Sequence, residues 1–156
     1  LQPNDAGYTF ALSEDGRLFA YLTDIPRRIN ILDLKTKEKR QLSFKERYNI
    51  LEMRWTPDGA RLIILTEERA EGAIPGGFSI FEYSLEGKDL KKLVDKNNLN
   101  SLYTSDEFDE PRIYISAVSN DFLTLADKQQ EGYFQVDLQT GDVIQINDLG
   151  TPIANS

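Results

Sequence analysis

Short apolar-rich runs broken by turn residues follow one another along the chain, and no window carries the 3.6-residue stripe of an amphipathic helix. The first four runs lie at about 8–12, 18–23, 28–34 and 39–43. A second set occupies 50–55, 61–66, 78–84 and 90–94, and a third 112–118, 122–126, 133–138 and 143–146. All are predicted β-strands. The second strand of each set is nearly continuous in apolar residues rather than alternating, most clearly at Leu62-Ile63-Ile64-Leu65. Such a strand is covered on both faces, so each sheet is expected to lie between neighbours.

The turns repeat with the strands. Ser13-Glu14-Asp15-Gly16 precedes one apolar run and Thr56-Pro57-Asp58-Gly59 another, with the two glycines 43 residues apart. That spacing matches the period of a four-stranded propeller blade. Val118-Ser119-Asn120-Asp121 is a worn third copy. A second landmark follows each: Asp33-Leu34-Lys35-Thr36-Lys37, Tyr83-Ser84-Leu85-Glu86-Gly87 and Asp137-Leu138-Gln139-Thr140-Gly141. Glycine accepts positive φ at little steric cost, so Gly16, Gly59, Gly87 and Gly141 are expected to close tight turns. The Asp and Gly residues of these turns are read as structural, not as phosphate or metal ligands.

The fold class expected is all-β: a β-propeller of three four-stranded antiparallel blades, at about 8–43, 50–94 and 112–147, with 148–156 a linker toward a further blade. Propellers close with about four to eight blades. Three blades leave two faces uncovered, with apolar residues such as Phe10, Leu12, Leu18 and Ala20 on one side or the other of the first blade. The expectation is therefore part of a six- to eight-bladed propeller, or completion by self-association.

Composition adds exclusions. A net charge of −8 over 156 residues disfavours nonspecific attraction to nucleic acid or an anionic membrane. The chain holds no histidine and no cysteine, which removes a Ser-His-Asp triad, a thiol nucleophile and the usual zinc ligands. No apolar run reaches the roughly 20 residues that span a bilayer. No direct membrane insertion, no cofactor and no resident metal are expected, and the chain is read as noncatalytic.

Phe10 to Tyr21 together with Ile31-Leu32-Asp33-Leu34 resemble the TolB-type, WD-like propeller repeat, whose blade runs approximately F-S-P-D-G-x-x-L-A-F, an apolar strand, then D-L-x-T-G. The likeness covers about residues 8 to 147. It departs at Tyr83-Ser84, where the family has Asp-Leu, and at the third copy, which lacks Pro-Asp-Gly. The resemblance implies a binding or interaction module, periplasmic or extracellular, in a cell-envelope or sensory role. The alternative it implies is an accessory propeller segment of a prolyl-oligopeptidase-type serine peptidase whose catalytic domain lies outside this chain. No Gly-x-Ser-x-Gly elbow occurs in these residues.

Strands in a blade alternate in direction, so the turns joining strands one to two and three to four share one end. Those turns are uniformly short. The other end receives the long connections, and binding usually resides in long loops on a rigid scaffold. The working face is therefore placed there, with Arg27, Arg28, Tyr48, Glu68, Arg69, Tyr103, Asp106, Phe108 and Asp109 as candidate binding residues for a protein or peptide partner. Asp106, Glu107, Asp109 and Glu110 form an acidic cluster. It lacks calcium-loop spacing and is read as a solvated loop. Trp55 is read as core, and Gly76-Gly77 as a hairpin end.

Overall fold

The structure, a computed structural model, describes residues 9–24, 27–45, 48–69, 71–73, 76–95, 99, 113–127 and 132–146. The described residues form twelve strands: β1 (Phe10–Leu12), β2 (Leu18–Asp24), β3 (Arg27–Asp33), β4 (Lys39–Ser43), β5 (Tyr48–Trp55), β6 (Arg61–Glu68), β7 (Gly77–Ser84), β8 (Asp89–Val94), β9 (Ile113–Val118), β10 (Phe122–Asp127), β11 (Gly132–Asp137) and β12 (Val143–Ile146). They form three four-stranded antiparallel meanders in chain order, as the repeat predicts. We call them blades 1, 2 and 3. Among the described residues no helix is long and apolar enough to cross a membrane.

The blades stack face to face. β1 touches β5 and β5 touches β9, so the first strands converge. Blade 2 is the middle layer. Leu62 and Ile64 of β6 pack with Ala20, Ile29 and Ile31 of blade 1. Ile63 and Leu65 pack with Ile115, Leu123 and Leu125 of blade 3. All four β6 side chains are fully buried. Alternation across the pleat thus sends successive residues into two different cores, and this is why β6 is apolar without interruption. Trp55 is core as expected, with its indole Nε1–H donating to the Ala11 carbonyl across blades 1 and 2 at 3.1 Å.

The tight turns have one chemistry. Ser13 donates its hydroxyl to Asp15 at 2.6 Å and accepts the Leu18 N–H at 2.9 Å. Thr56 repeats this with Asp58 at 2.6 Å and the Arg61 N–H at 3.1 Å. Gly16 and Gly59 follow at φ of 73° and 70°. No neighbour lies within 4 Å of a Cβ added at Gly16, and the nearest to one at Gly59 is 3.9 Å away. Gly16→Val and Gly59→Val should therefore each lose about 1–3 kcal/mol through backbone strain alone, read as a lower thermal midpoint. Unchanged midpoints would mean that these turns do not need the left-handed conformation.

The second landmark corrects the expected alignment. Leu34 N–H donates to the Arg17 carbonyl, Leu85 N–H to that of Ala60, and Leu138 N–H to that of Asp121. The equivalent of Asp33 and Asp137 is therefore Ser84, not Tyr83. Its hydroxyl accepts the Gly87 N–H at 3.2 Å, as Asp33 accepts that of Thr36 at 3.1 Å. Positive φ then falls on the fifth residue of each turn, at Lys37 (65°), Lys88 (51°) and Gly141 (79°). Gly87 is not the left-handed residue of its turn.

Candidate functional site

Two ends of the stack have opposite characters. At the tight-turn end polar side chains answer one another. Arg17 donates Nε–H and Nη2–H to a single oxygen of Asp33, at 2.9 and 2.6 Å. The other Asp33 oxygen accepts the N–H groups of Lys35 and Thr36. Arg40 reaches from blade 1 to the Tyr83 hydroxyl and the Leu85 carbonyl of blade 2. A cleft of about 360 Å³ opens between these blades, lined by Asp15, Arg17, Asp33, Arg40 and Asp58. These charges are engaged within a turn, between the two turns of blade 1, or across to blade 2.

The same bonds set the acid response. The Arg17 guanidinium, then the Thr36 N–H, hold the Asp33 carboxyl far below the ordinary range. Ser13 and the Arg17 N–H lower Asp15, Thr56 and the Ala60 N–H lower Asp58, and the N–H groups of Thr140 and Gln139 lower Asp137. A carboxyl lowered on folding stabilises fully above its unfolded pKa, ordinarily 3.8. Its contribution disappears as pH falls through the folded value. Stability should accordingly fall as pH drops below about 4. Asp33→Asn should flatten that acid limb in melts taken between pH 5 and 2, whereas an unchanged slope would show that the turn carboxyls are not its source.

At the opposite end β5 and β6 run two residues further than the sequence predicts, and Tyr48 pairs with Glu68 in the ladder. Both are buried. The Tyr48 ring meets Phe81 edge-on at 5.0 Å, and Phe44 also meets Phe81 edge-on at 5.2 Å. Lys92 Nζ lies 5.1 Å from the Tyr48 ring centre and 3.1 Å from Asp95. Burial alone would lower the Lys92 pKa, but Tyr48 and Asp95 outweigh it and raise it. These groups form a packed base beneath the long connections.

Of the other candidates, Arg69 and Arg28 lie on different blades. Arg69 is exposed just beyond β6. Arg28 stands on the outer face of blade 1, where its guanidinium donates to Gln41 at 3.1 Å. Arg27 pairs with Asp24 through the β2–β3 ladder, and its side chain lies outside the described residues. Tyr103, Asp106, Phe108 and Asp109, with Glu107 and Glu110 of the acidic cluster, also lie outside them. Among the described residues no three acidic side chains gather as a metal site.

Sequence reasoning did not single out Glu52, Arg54 or Arg61. Glu52 accepts the Ile115 N–H of blade 3 at 2.8 Å and pairs with Arg54 at 3.0 Å. These two line a cavity of about 490 Å³ along the inner strands with Phe10, Leu12, Trp55 and Val118. Their i, i+2 spacing put them on one strand face. Nothing in the sequence pointed that face at β9.

No family model matches the chain, and no curated protein does. Solved structures do. An acylaminoacyl peptidase of Pyrococcus horikoshii is similar with TM-score 0.60 and 14% identity, over 88% of this chain and 24% of that one. An oligogalacturonate lyase solved with manganese is similar with TM-score 0.57 and 10% identity, over 90% and 39%. A chain of a nidogen/laminin complex follows with TM-score 0.51 and 16% identity, over 93% and 49%. This chain thus spans between a quarter and half of those it matches. At such identities the likeness is one of fold: the three sheets are blades of a β-propeller, and part of one.

Proposed function

We propose that the chain is a noncatalytic propeller module that presents its long-connection end to a protein or peptide partner, in the extracytoplasmic bacterial setting that the TolB-type resemblance implies. The observation that carries this reading is the contrast between the two ends. Side chains at one end bond within their own turns, to the other turn of the same blade and to the neighbouring blade. At the other, buried Tyr48 with half-buried Phe81 and Lys92 makes a firm base under long connections, with Arg69 exposed just beyond β6. A rigid scaffold under variable loops is the usual arrangement of a recognition surface.

Peptides selected from a randomised display library on the immobilised chain provide the test. Their binding should weaken at least tenfold on Arg69→Glu and remain unchanged on Glu14→Lys, an exposed change at the tight-turn end. The reverse pattern would place recognition at the tight-turn end and overturn the reading.

The likeness to peptidase chains favours a second reading, an accessory propeller of a serine peptidase. A Gly-x-Ser-x-Gly elbow followed by Asp and His in the same reading frame would support it.

A further inference from the structure

Equivalent positions in the three blades show what the two open faces are built to meet. In ladder register, Phe10 pairs with Tyr21 and Leu12 with Phe19, as Met53 pairs with Ile64 and Trp55 with Leu62. Those four blade 2 residues point at blade 1 and are buried, at 2%, 0%, 7% and 0% exposure. Phe10 and Leu12 are 56% and 55% exposed. Phe10, Phe19 and Tyr21 form an aromatic row, with centroids 6.0 and 5.4 Å apart. Blade 1 therefore carries, uncovered, the face that blade 2 buries against the blade before it.

Blade 3 carries the opposite face. Phe122, Thr124 and Ala126 pair with Asp137, Gln135 and Tyr133, as Leu18, Ala20 and Leu22 of blade 1 pair with Asp33, Ile31 and Ile29. The latter are the residues that blade 1 turns toward blade 2. On blade 3 this face holds Phe122, Tyr114 and Ile144 at 40–45% exposure. One molecule thus offers both halves of the packing it already uses twice. Charges agree in level: Lys39 lies over Tyr21 at the tight-turn end of the first face, and Asp137 stands in the corresponding row of the second.

We infer that two copies of this chain close on each other head to tail, blade 3 of each on blade 1 of the other, into a six-bladed ring with twofold symmetry. A twofold pair satisfies both faces of both copies at once and ends the assembly. Six blades lie within the range of about four to eight in which propellers close. This surface is separate from the long-connection end, so its test does not bear on that proposal.

Light scattering over a wide concentration range should give a mass twice the 17.8 kDa of one chain. Leu12→Glu and Phe122→Glu alter exposed positions on opposite faces, so each should keep the circular dichroism of the parent. Each alone should raise the dissociation constant at least tenfold. An equimolar mixture of the two variants should pair again, because one interface of the mixed pair is free of both changes. A parent chain that stays single at every concentration would overturn the inference and leave other blades as the cover. So would a Phe122→Glu variant that pairs like the parent, which would mean blade 1 on blade 1, or masses that grow past two copies.

Discussion

Gly141→Ala should lower the thermal midpoint by about 10 °C, corresponding to a loss of roughly 3–5 kcal/mol. Two costs coincide at this position. The backbone holds φ at 79°, which an L side chain resists. A Cβ built there also falls 2.5 Å from the Leu93 carbonyl oxygen of β8. That oxygen belongs to the backbone of the neighbouring blade and has no rotamer by which to retreat. The equivalent residues Lys37 and Lys88 separate the two costs, since both carry side chains at positive φ. Lys37→Gly and Lys88→Gly should change stability by no more than about 1 kcal/mol, the difference between strain relieved and unfolded-state entropy gained. A Gly141→Ala midpoint within a degree or two of the parent would show that blades 2 and 3 separate enough to admit a methyl group.

Arg61→Ala should cost roughly 3 kcal/mol, because it removes the bridge between blades 2 and 3 and leaves a buried carboxylate behind. Arg61 Nη1–H donates to the Leu138 carbonyl at 3.2 Å, and Nη2–H donates to that of Asn120. The same guanidinium lies 3.6 Å from Glu82, whose side chain is only 7% exposed. Truncation strands that charge. Adding Glu82→Gln to Arg61→Ala should therefore recover part of the loss, and urea unfolding of the four combinations gives the coupling directly. Arg61→Lys should not restore the parent, since an ammonium cannot span two carbonyls and a carboxylate in the geometry of the planar fork. Strict additivity of the two changes would mean that the ion pair contributes nothing and that Arg61 acts through its carbonyl contacts alone.

The candidate site was only partly legible before folding. Tyr48 and Glu68 read as loop residues because the alternation that marks a strand fades at Ile50 and Thr66. In the fold β5 and β6 pair beyond that point, past a register shift between Ile50 and Glu52, and the pairing draws both side chains inside. Ser84 is hidden in the sequence for a related reason. A hydroxyl performs the turn-capping that Asp33 and Asp137 perform with a carboxylate, so matching by residue type set that copy one position out of register.

Local chemistry determined the strands, their grouping by fours and the Ser/Thr-x-Asp-Gly turns, because pleat alternation and positive φ act over a few neighbouring residues. The unbroken apolar run of β6 even announced that both of its faces would be covered. The tertiary structure alone decided which neighbour each face would meet. Glu52 finds the Ile115 N–H, Arg61 finds two carbonyls, and Gly141 yields room to Leu93 over separations of 63, 59 to 77, and 48 residues. Such contacts depend on how one twisted sheet is laid over the next, and the residue types on either side do not encode that angle.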